Sequence, residues 1–171
     1  MKVADIHAHA FPDKLADKAP ASIGAFYGGA QMACHPASAE NLAKHEREAG
    51  ITRFVMSNSA TTAHQVRSIN DFLSQAVKGI PGAIAFGSIF PGMEGAEEEL
   101  ERAKALGIRG LKVHPDFQKI PVDAPCGVPV YKKAAKLGLP VLFHMGDNRY
   151  DYSTPERLMN LLRQVPDLQV I

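Results

Sequence analysis

Six short apolar segments recur along the chain at a nearly constant interval. These segments begin near Val3, Thr52, Gly82, Ile108, Leu139 and Leu168. After a first interval of 49 residues, the later intervals are 30, 26, 31 and 29 residues, which is the length of one strand, one helix and two short connections. Little polar alternation interrupts the segments, as in parallel strands that are covered by helices. The spacing predicts an α/β fold, either an open doubly wound sheet or a (β/α)8 barrel.

Amphipathic stretches between the apolar segments predict the helices of these units. Helices are expected over residues 39–49, 61–77, 94–106 and 155–165. The third carries three consecutive glutamates in its first turns, which complement the helix dipole, and a glycine follows its end. Residues 10–38 are rich in Pro, Gly and Ala, and we expect them to form a long loop over one face. The chain contains neither GxGxxG nor a P-loop motif, which disfavours a nucleotide-binding open sheet.

Length and composition are those of one ordinary globular domain, which we expect to span residues 1–171. Hydrophobic residues make up 46% of the chain and charged residues 22%, which excludes a disordered or collagen-like chain. The formal net charge of +1 gives no reason to expect a nucleic acid or a membrane as partner. No signal-peptide pattern and no run of about 20 apolar residues is present. Cys34 and Cys126 are separate thiols, so we expect a reduced, cytoplasmic protein.

Histidines lie where the predicted strands end. His7 and His9 close the first strand, and because residues i and i+2 of a strand point the same way, their imidazoles project from one face. His114 ends the fourth strand and His144 ends the fifth. Parallel barrel strands carry their carboxyl ends to one rim, so these four histidines are expected close together. Neutral imidazoles at that spacing can bind Zn²⁺ or a similar ion; the alternative is that each histidine is structural.

Lys112 lies two residues before His114 and shares its face. Because lysine is rarely buried without a partner or a purpose, it is either a functional residue or half of a structural ion pair. His35, His45 and His64 lie in loop or polar helical contexts and are expected at the surface. A further four residues follow the fifth strand and are candidate substrate contacts: Asp147, Arg149, Tyr150 and Tyr152. Neither a GxSxG motif nor a histidine near Cys126 supports a nucleophilic serine or cysteine.

Four sequence runs together resemble a known family. They are DIHAH at 5–9, SNSATT at 57–62, GLKVHPDFQ at 110–118 and FHMGD at 143–147. In this order they resemble the metal-dependent hydrolases of the amidohydrolase superfamily, in the branch that includes aminocarboxymuconate semialdehyde decarboxylase. The resemblance implies a (β/α)8 TIM barrel in which His7, His9 and His144 bind a divalent metal, with Zn²⁺ expected. Lys112 and His114 match its active-site rim, where we expect them to be catalytic by orienting the substrate or the ligands.

The activity implied is hydrolysis of a C–N or C–O bond of a small-molecule substrate through a metal-activated water, or decarboxylation of a small carboxylic acid. An alternative is a TatD-like or PHP-like metal phosphoesterase, because those families also open with HxH. Lys112 stands where the first would place a ligating Glu, and no SDG-like run follows the HxH as the second would require.

Two parts of the family pattern are missing from this sequence: a histidine on strand six and a metal-binding aspartate on strand eight. A full barrel needs about 250 residues, so the chain is expected to cover about five and a half β/α units and to be incomplete at its C-terminus. Such a product could be a non-catalytic metal-binding fragment. Its first and sixth strands would be unpaired edges, which predicts a homo-oligomer.

Overall fold

The computed structural model describes residues 3–33 and 35–171; Cys34, one of the two predicted thiols, lies outside them. Five strands form one sheet: β1 Ala4–His9, β2 Arg53–Ser57, β3 Ala83–Ser88, β4 Gly110–Val113 and β5 Val141–Phe143. All neighbouring pairs are parallel. The predicted sixth strand is represented by a parallel bridge between Val170 and Val141. The repeating β/α pattern is therefore confirmed.

The order of strands in the sheet is β1-β2-β3-β4-β5, the same as their order in the chain. A doubly wound sheet reverses its order at a switch point, and the described strands contain no such reversal. Because parallel crossovers are right-handed, a sequential order places the crossover helices on one side of the sheet and leaves the other side to become a barrel interior. The sheet is thus part of a barrel.

Eight α-helices connect or follow the strands within the described residues. They are α1 Asp13–Ala16, α2 Lys18–Phe26, α3 Ala39–Glu48, α4 Val66–Ala76, α5 Ala96–Ala105, α6 Pro115–Gln118, α7 Val128–Leu137 and α8 Pro155–Gln164. Short 3-10 turns, Ala63–Gln65 and Val77–Gly79, flank α4. The four predicted helices are confirmed as α3, α4, α5 and α8, with ends shifted by a few residues. In the described part of the chain, no helix combines the length and apolar character that a membrane crossing requires.

The prediction of a long loop over residues 10–38 is wrong in part, since α1 and α2 lie within it. The sequence of α2, KAPASIGAF, has small residues and no continuous apolar stripe, so the periodicity that predicts helices is weak there. Its one buried residue is Gly24, where an added Cβ would lie 2.2 Å from the Ala30 carbonyl oxygen. Close packing of the segment against itself, rather than an amphipathic pattern, holds this helix in place.

Side chains of the strands alternate between the helix-facing side and the barrel interior. The helix-facing cluster includes Leu111, Val113, Val141 and Phe143, packed with residues of α5, α7 and α8. A separate small cluster on the other side contains Val55, Phe86 and Leu142. Lys112 follows Leu111 and is paired in register with Leu142, so its side chain enters the barrel interior. The alternation thus directs the predicted site residues of β4 and β5 inward.

Candidate metal centre

A pocket of about 960 Å³ opens at the carboxyl ends of the strands. The structure brings all five predicted site residues to its lining: His7, His9, Lys112, His114 and His144. They come from β1, from the end of β4 and from the end of β5, as expected for parallel strands that end at one rim. The four loop residues after β5 that were candidate substrate contacts do not line this pocket. His45 and His64 are exposed, as predicted.

The two histidines of β1 face each other at close range. The Nε2 atoms of His7 and His9 are 3.1 Å apart, and the register of β1 against β2 shifts between Asp5 and Ala8. Asp5 stabilises this irregular part of β1, because its Oδ1 accepts a hydrogen bond of 2.7 Å from the His7 backbone N–H. Two ring nitrogens this close share one small volume, which is the arrangement that a single cation can bridge.

Ser57 determines which nitrogen of His9 is free. The Ser57 hydroxyl donates to the Ala8 carbonyl at 3.0 Å and lies 3.4 Å from His9 Nδ1. Because its proton is used, Ser57 Oγ accepts from His9 Nδ1–H, which leaves a lone pair on His9 Nε2. Such an outer contact orients a ligating imidazole. Burial, with the neighbouring His7 and Lys112, lowers the pKa of His9 to about 3, so the ring is neutral near pH 7.

His114 and His144 form a second pair. Their rings stack with centroids 3.8 Å apart and planes within 9°. The backbone N–H of Phe117 donates to His114 Nδ1 at 3.3 Å. Burial, followed by the effect of His144 and Lys112, lowers the pKa of His114 to about 2. Burial also lowers the pKa of His144. Both rings are therefore neutral near pH 7, and a neutral imidazole has a lone pair with which it can bind a metal or accept a hydrogen bond.

Asp116 joins this second pair and was not among the predicted site residues. One ligand atom from each of His114, Asp116 and His144 lies within 4.8 Å of the others. Ser153 donates to Asp116 Oδ2 at 2.8 Å, whereas the buried Oδ1 has no hydrogen-bond partner in the described part of the chain. The only feature of the sequence that could have indicated Asp116 as a site residue is its position two residues after His114, in the run GLKVHPDFQ.

The chemical types of these donors suit a divalent cation. Neutral imidazoles and one buried carboxylate oxygen without a partner are ordinary ligands for Zn²⁺ and related ions. His7 and His9 form one donor pair, while the structure groups His144 with His114 and Asp116. His114 has a proton on Nε2 whenever its Nδ1 accepts from Phe117, so in that state neither nitrogen offers a free lone pair. This favours His144 over His114 as a ligand.

Lys112 contributes a positive charge between the two histidine pairs. Its side chain is fully buried, at 0% exposure. Its Nζ has no hydrogen-bond partner within residues 3–33 and 35–171, so the structural ion pair offered as an explanation for this residue is not found there. Burial lowers the pKa of Lys112 to about 8. A buried cation without a counter-charge is costly, and it attracts an anionic or oxygen-rich group that enters the pocket.

Comparison with known proteins agrees with this geometry. The amidohydrolase family model matches residues 4–171, so the chain belongs to the amidohydrolase family, as the resemblance of its sequence runs predicted. No match was found among curated proteins. The family match favours the amidohydrolase interpretation over the phosphoesterase alternative.

Solved structures share the fold of the chain at low sequence identity. IDCase of Metarhizium anisopliae has a TM-score of 0.72 at 16% identity, covering 99% of this chain and 64% of its own. The 5-carboxyvanillate decarboxylase of Sphingomonas paucimobilis has a TM-score of 0.69 at 17% identity, covering 99% and 66%. That of Novosphingobium aromaticivorans, complexed with manganese, has a TM-score of 0.77 at 16% identity, covering 99% and 64%. The chain thus spans about two thirds of the length of these structures and forms a partial TIM barrel.

Proposed function

We propose that residues 1–171 form the metal-binding part of one barrel domain in a metal-dependent hydrolase or decarboxylase. The observation that carries the proposal is the convergence of histidines from β1 and β5 on one pocket with Lys112 between them. In this proposal His7, His9 and His144 hold the ion. Asp116 lies next to His144, and its Oδ1 has no hydrogen-bond partner among the described residues. The family assignment supports the same chemistry.

The ion in this proposal is divalent, with Zn²⁺ the first choice and Mn²⁺ the alternative to test, since manganese accompanies a structure of similar fold. When bound, such an ion acts as a Lewis acid that polarises a substrate oxygen and lowers the pKa of water. The residues around the site suit such an ion. Burial keeps His9 neutral, and the contact of its Nδ1 with Ser57 leaves Nε2 as the free nitrogen.

Lys112 and His114 are proposed to bind and orient the substrate. The Lys112 ammonium carries a charge that no side chain of the described residues neutralises, so a carboxylate or a carbonyl oxygen of the substrate is its natural partner. The neutral His114 ring directs its Nε2–H at the Tyr27 hydroxyl oxygen, 3.0 Å away, so it would orient the substrate through that hydroxyl. Apolar side chains form much of the remaining lining and suit the body of a small organic molecule: Phe11, Leu15, Ile23, Met32, Phe72 and Phe117.

Metal analysis tests the proposal. The purified chain, stripped with a chelator and then dialysed against Zn²⁺ or Mn²⁺, is compared with the double variant His7→Ala/His9→Ala. We expect about one ion per chain in the first and none in the second. The matched control is His45→Ala/His64→Ala, which removes two exposed histidines outside the pair of β1 and should retain the ion. Equal metal content in all three proteins would contradict the proposal.

Self-association and a reducing compartment complete the proposal. In the described residues β1 pairs with β2 only, and Ile6 on it is 52% exposed; an open edge of this kind is relieved by pairing with another chain. We therefore propose that the 171-residue chain by itself forms a homo-oligomer through this edge, and a monomer in sedimentation equilibrium at micromolar concentration would refute it. Cys126 is an exposed free thiol, which suits the cytoplasm; its stability as a thiol under cytosolic glutathione conditions tests this point.

A further inference from the structure

The Tyr27 hydroxyl contacts both of the stacked histidines. It follows the last residue of α2, in the segment predicted to be a loop, and its hydroxyl oxygen lies 3.0 Å from His114 Nε2 and 3.3 Å from His144 Nε2. Both distances are within hydrogen-bond range. The hydroxyl thus contacts one histidine that is proposed to orient the substrate and one that is proposed to bind the metal.

The direction of these hydrogen bonds follows from the partners of His114. Its Nδ1 accepts from the Phe117 backbone N–H, so a neutral His114 carries its proton on Nε2. That Nε2–H donates to the Tyr27 oxygen. The Tyr27 O–H is then available to donate to His144 Nε2. This nitrogen therefore carries the lone pair of the neutral ring, and the proton of His144 is on Nδ1. A single chain of hydrogen bonds therefore sets the tautomers of both rings.

This arrangement makes Tyr27 and a metal ion competitors. Neutral His144 has one lone pair, and the Tyr27 hydroxyl uses it. If the ion binds Nε2, it replaces the hydroxyl directly. The proposal takes Nε2 as the metal-binding atom, so the hydrogen bond from Tyr27 to His144 is lost when the ion binds.

Arg149 positions the Tyr27 ring beside the two histidines. The guanidinium of Arg149 lies 4.5 Å from the centre of the Phe26 ring and 5.0 Å from that of Tyr27, within range of a cation–π contact. Arg149 also donates to the Phe26 carbonyl and forms a two-point ion pair with Asp147. Zn²⁺ lies about 2.0–2.1 Å from a ligating imidazole nitrogen. The Tyr27 oxygen, which is 3.3 Å from His144 Nε2 in the metal-free structure, must therefore shift aside when the ion binds there, and this frees its O–H for another acceptor.

We propose that in the metal-free protein the Tyr27 hydroxyl donates a hydrogen bond to the lone pair of His144 Nε2. Metal binding then frees this hydroxyl to donate a hydrogen bond to a substrate in the pocket. Tyr27 is then a substrate-contacting residue, and Arg149 positions it. The inference rests on the proposed function, because it takes His144 as a metal ligand. It does not depend on which substrate is used.

Zn²⁺ affinity measured by calorimetry tests the competition. Removing the hydroxyl with Tyr27→Phe takes away one hydrogen bond that the ion must break, so we expect binding to become about two- to tenfold tighter. The matched control, Tyr131→Phe, removes a tyrosine hydroxyl in the helix-facing core, outside the pocket lining, and should leave the affinity unchanged. Weaker binding by Tyr27→Phe would make the tyrosine a ligand, and an unchanged affinity would remove it from the site; either result overturns the inference.

A second measurement reads the tautomers without relying on a variant. Nitrogen-15 NMR of histidine-labelled, metal-free chain should show His114 protonated on Nε2 and His144 on Nδ1, and added Zn²⁺ should change the signals of His144. A His144 ring protonated on Nε2 before metal is added overturns the inference. If the wild-type chain binds Zn²⁺ and Tyr27→Phe binds it equally well, only the role of Tyr27 fails. If the wild-type chain binds no ion, the proposed function fails with it.

Discussion

Replacing Lys112 with methionine should stabilise the metal-free protein. The lysine ammonium is fully buried and lacks a hydrogen-bond partner in the described part of the chain, so the native state bears the cost of removing this charge from water. Methionine has a similar length and no charge, and it adapts to irregular space. The variant Lys112→Met therefore removes the cost and retains most of the packing.

The size of the expected stabilisation by Lys112→Met follows from the pKa of Lys112. Burial lowers the pKa of Lys112 from its usual value of 10.5 to about 8. At 1.36 kcal/mol per pKa unit, this difference corresponds to about 3 kcal/mol of native-state destabilisation. For a chain of this size, that is roughly 6–12 °C in the melting temperature.

The lowered pKa of Lys112 also determines how the stability of the protein changes with pH. Because the folded-state pKa is the lower one, the unfolded chain binds more protons between pH 8 and pH 10.5, and stability rises with pH there. Below pH 8 the lysine is charged in both states, so its full cost is present. The advantage of Lys112→Met should be constant from pH 6 to about pH 7.5 and should shrink as the pH rises toward 10.

Urea unfolding followed by far-UV circular dichroism, in the presence of a chelator and at pH 6, 7, 8, 9 and 10, measures this difference. The control Lys132→Met removes an exposed lysine and should show no comparable pH-dependent gain. If Lys112→Met is less stable than the wild type at pH 7, or if its gain is the same at pH 7 and pH 10, the charge of Lys112 is not an uncompensated burden and the reasoning is refuted.

Three further substitutions test other parts of the structure. Gly110→Ala should destabilise the protein by roughly 1–3 kcal/mol, because the new Cβ would lie 2.5 Å from the Phe86 ring; a urea midpoint equal to that of the wild type would contradict this. Asn70→Ala should cost of order 3 kcal/mol in the same assay, since Asn70 bonds both backbone groups of Ser88 at 2.7 and 3.1 Å; a loss below 1 kcal/mol would show that water replaces the amide. Ser57→Ala should weaken Zn²⁺ binding about tenfold by calorimetry, because the second histidine of β1 loses the oxygen that orients it; unchanged affinity would exclude that role.

Local features of the sequence predicted much of this fold. The strands could be located because a buried parallel strand is a short apolar run, and its neighbours follow at the length of one β/α unit. The start of α8 was predictable because Thr154 caps its first turn, with its side chain accepting from the Arg157 N–H, and a cap involves only a few adjacent residues. The inward direction of His9 and Lys112 likewise follows from the two-residue period of a strand.

Other features depended on residues far apart in the chain. The repeat length allowed both a barrel and an open sheet, and strand order decided between them. The helix α2 has little periodicity of its own and forms where the chain packs closely around Gly24. That no group of the described residues pairs with the Lys112 ammonium could not be predicted from its sequence neighbours, because a carboxylate from any part of the chain could have reached it.

The sequence by itself determined the repeating β/α architecture, the family and the strand ends at which the histidines stand, because these follow from periodicity and from short runs of adjacent residues. Only the tertiary structure decided that Tyr27 reaches His114 and His144, across 87 and 117 residues, and that Arg149 holds it there. The physical reason is that hydrogen bonds and ring contacts depend on distances of a few ångströms between side chains, and only the packing of distant elements sets those distances.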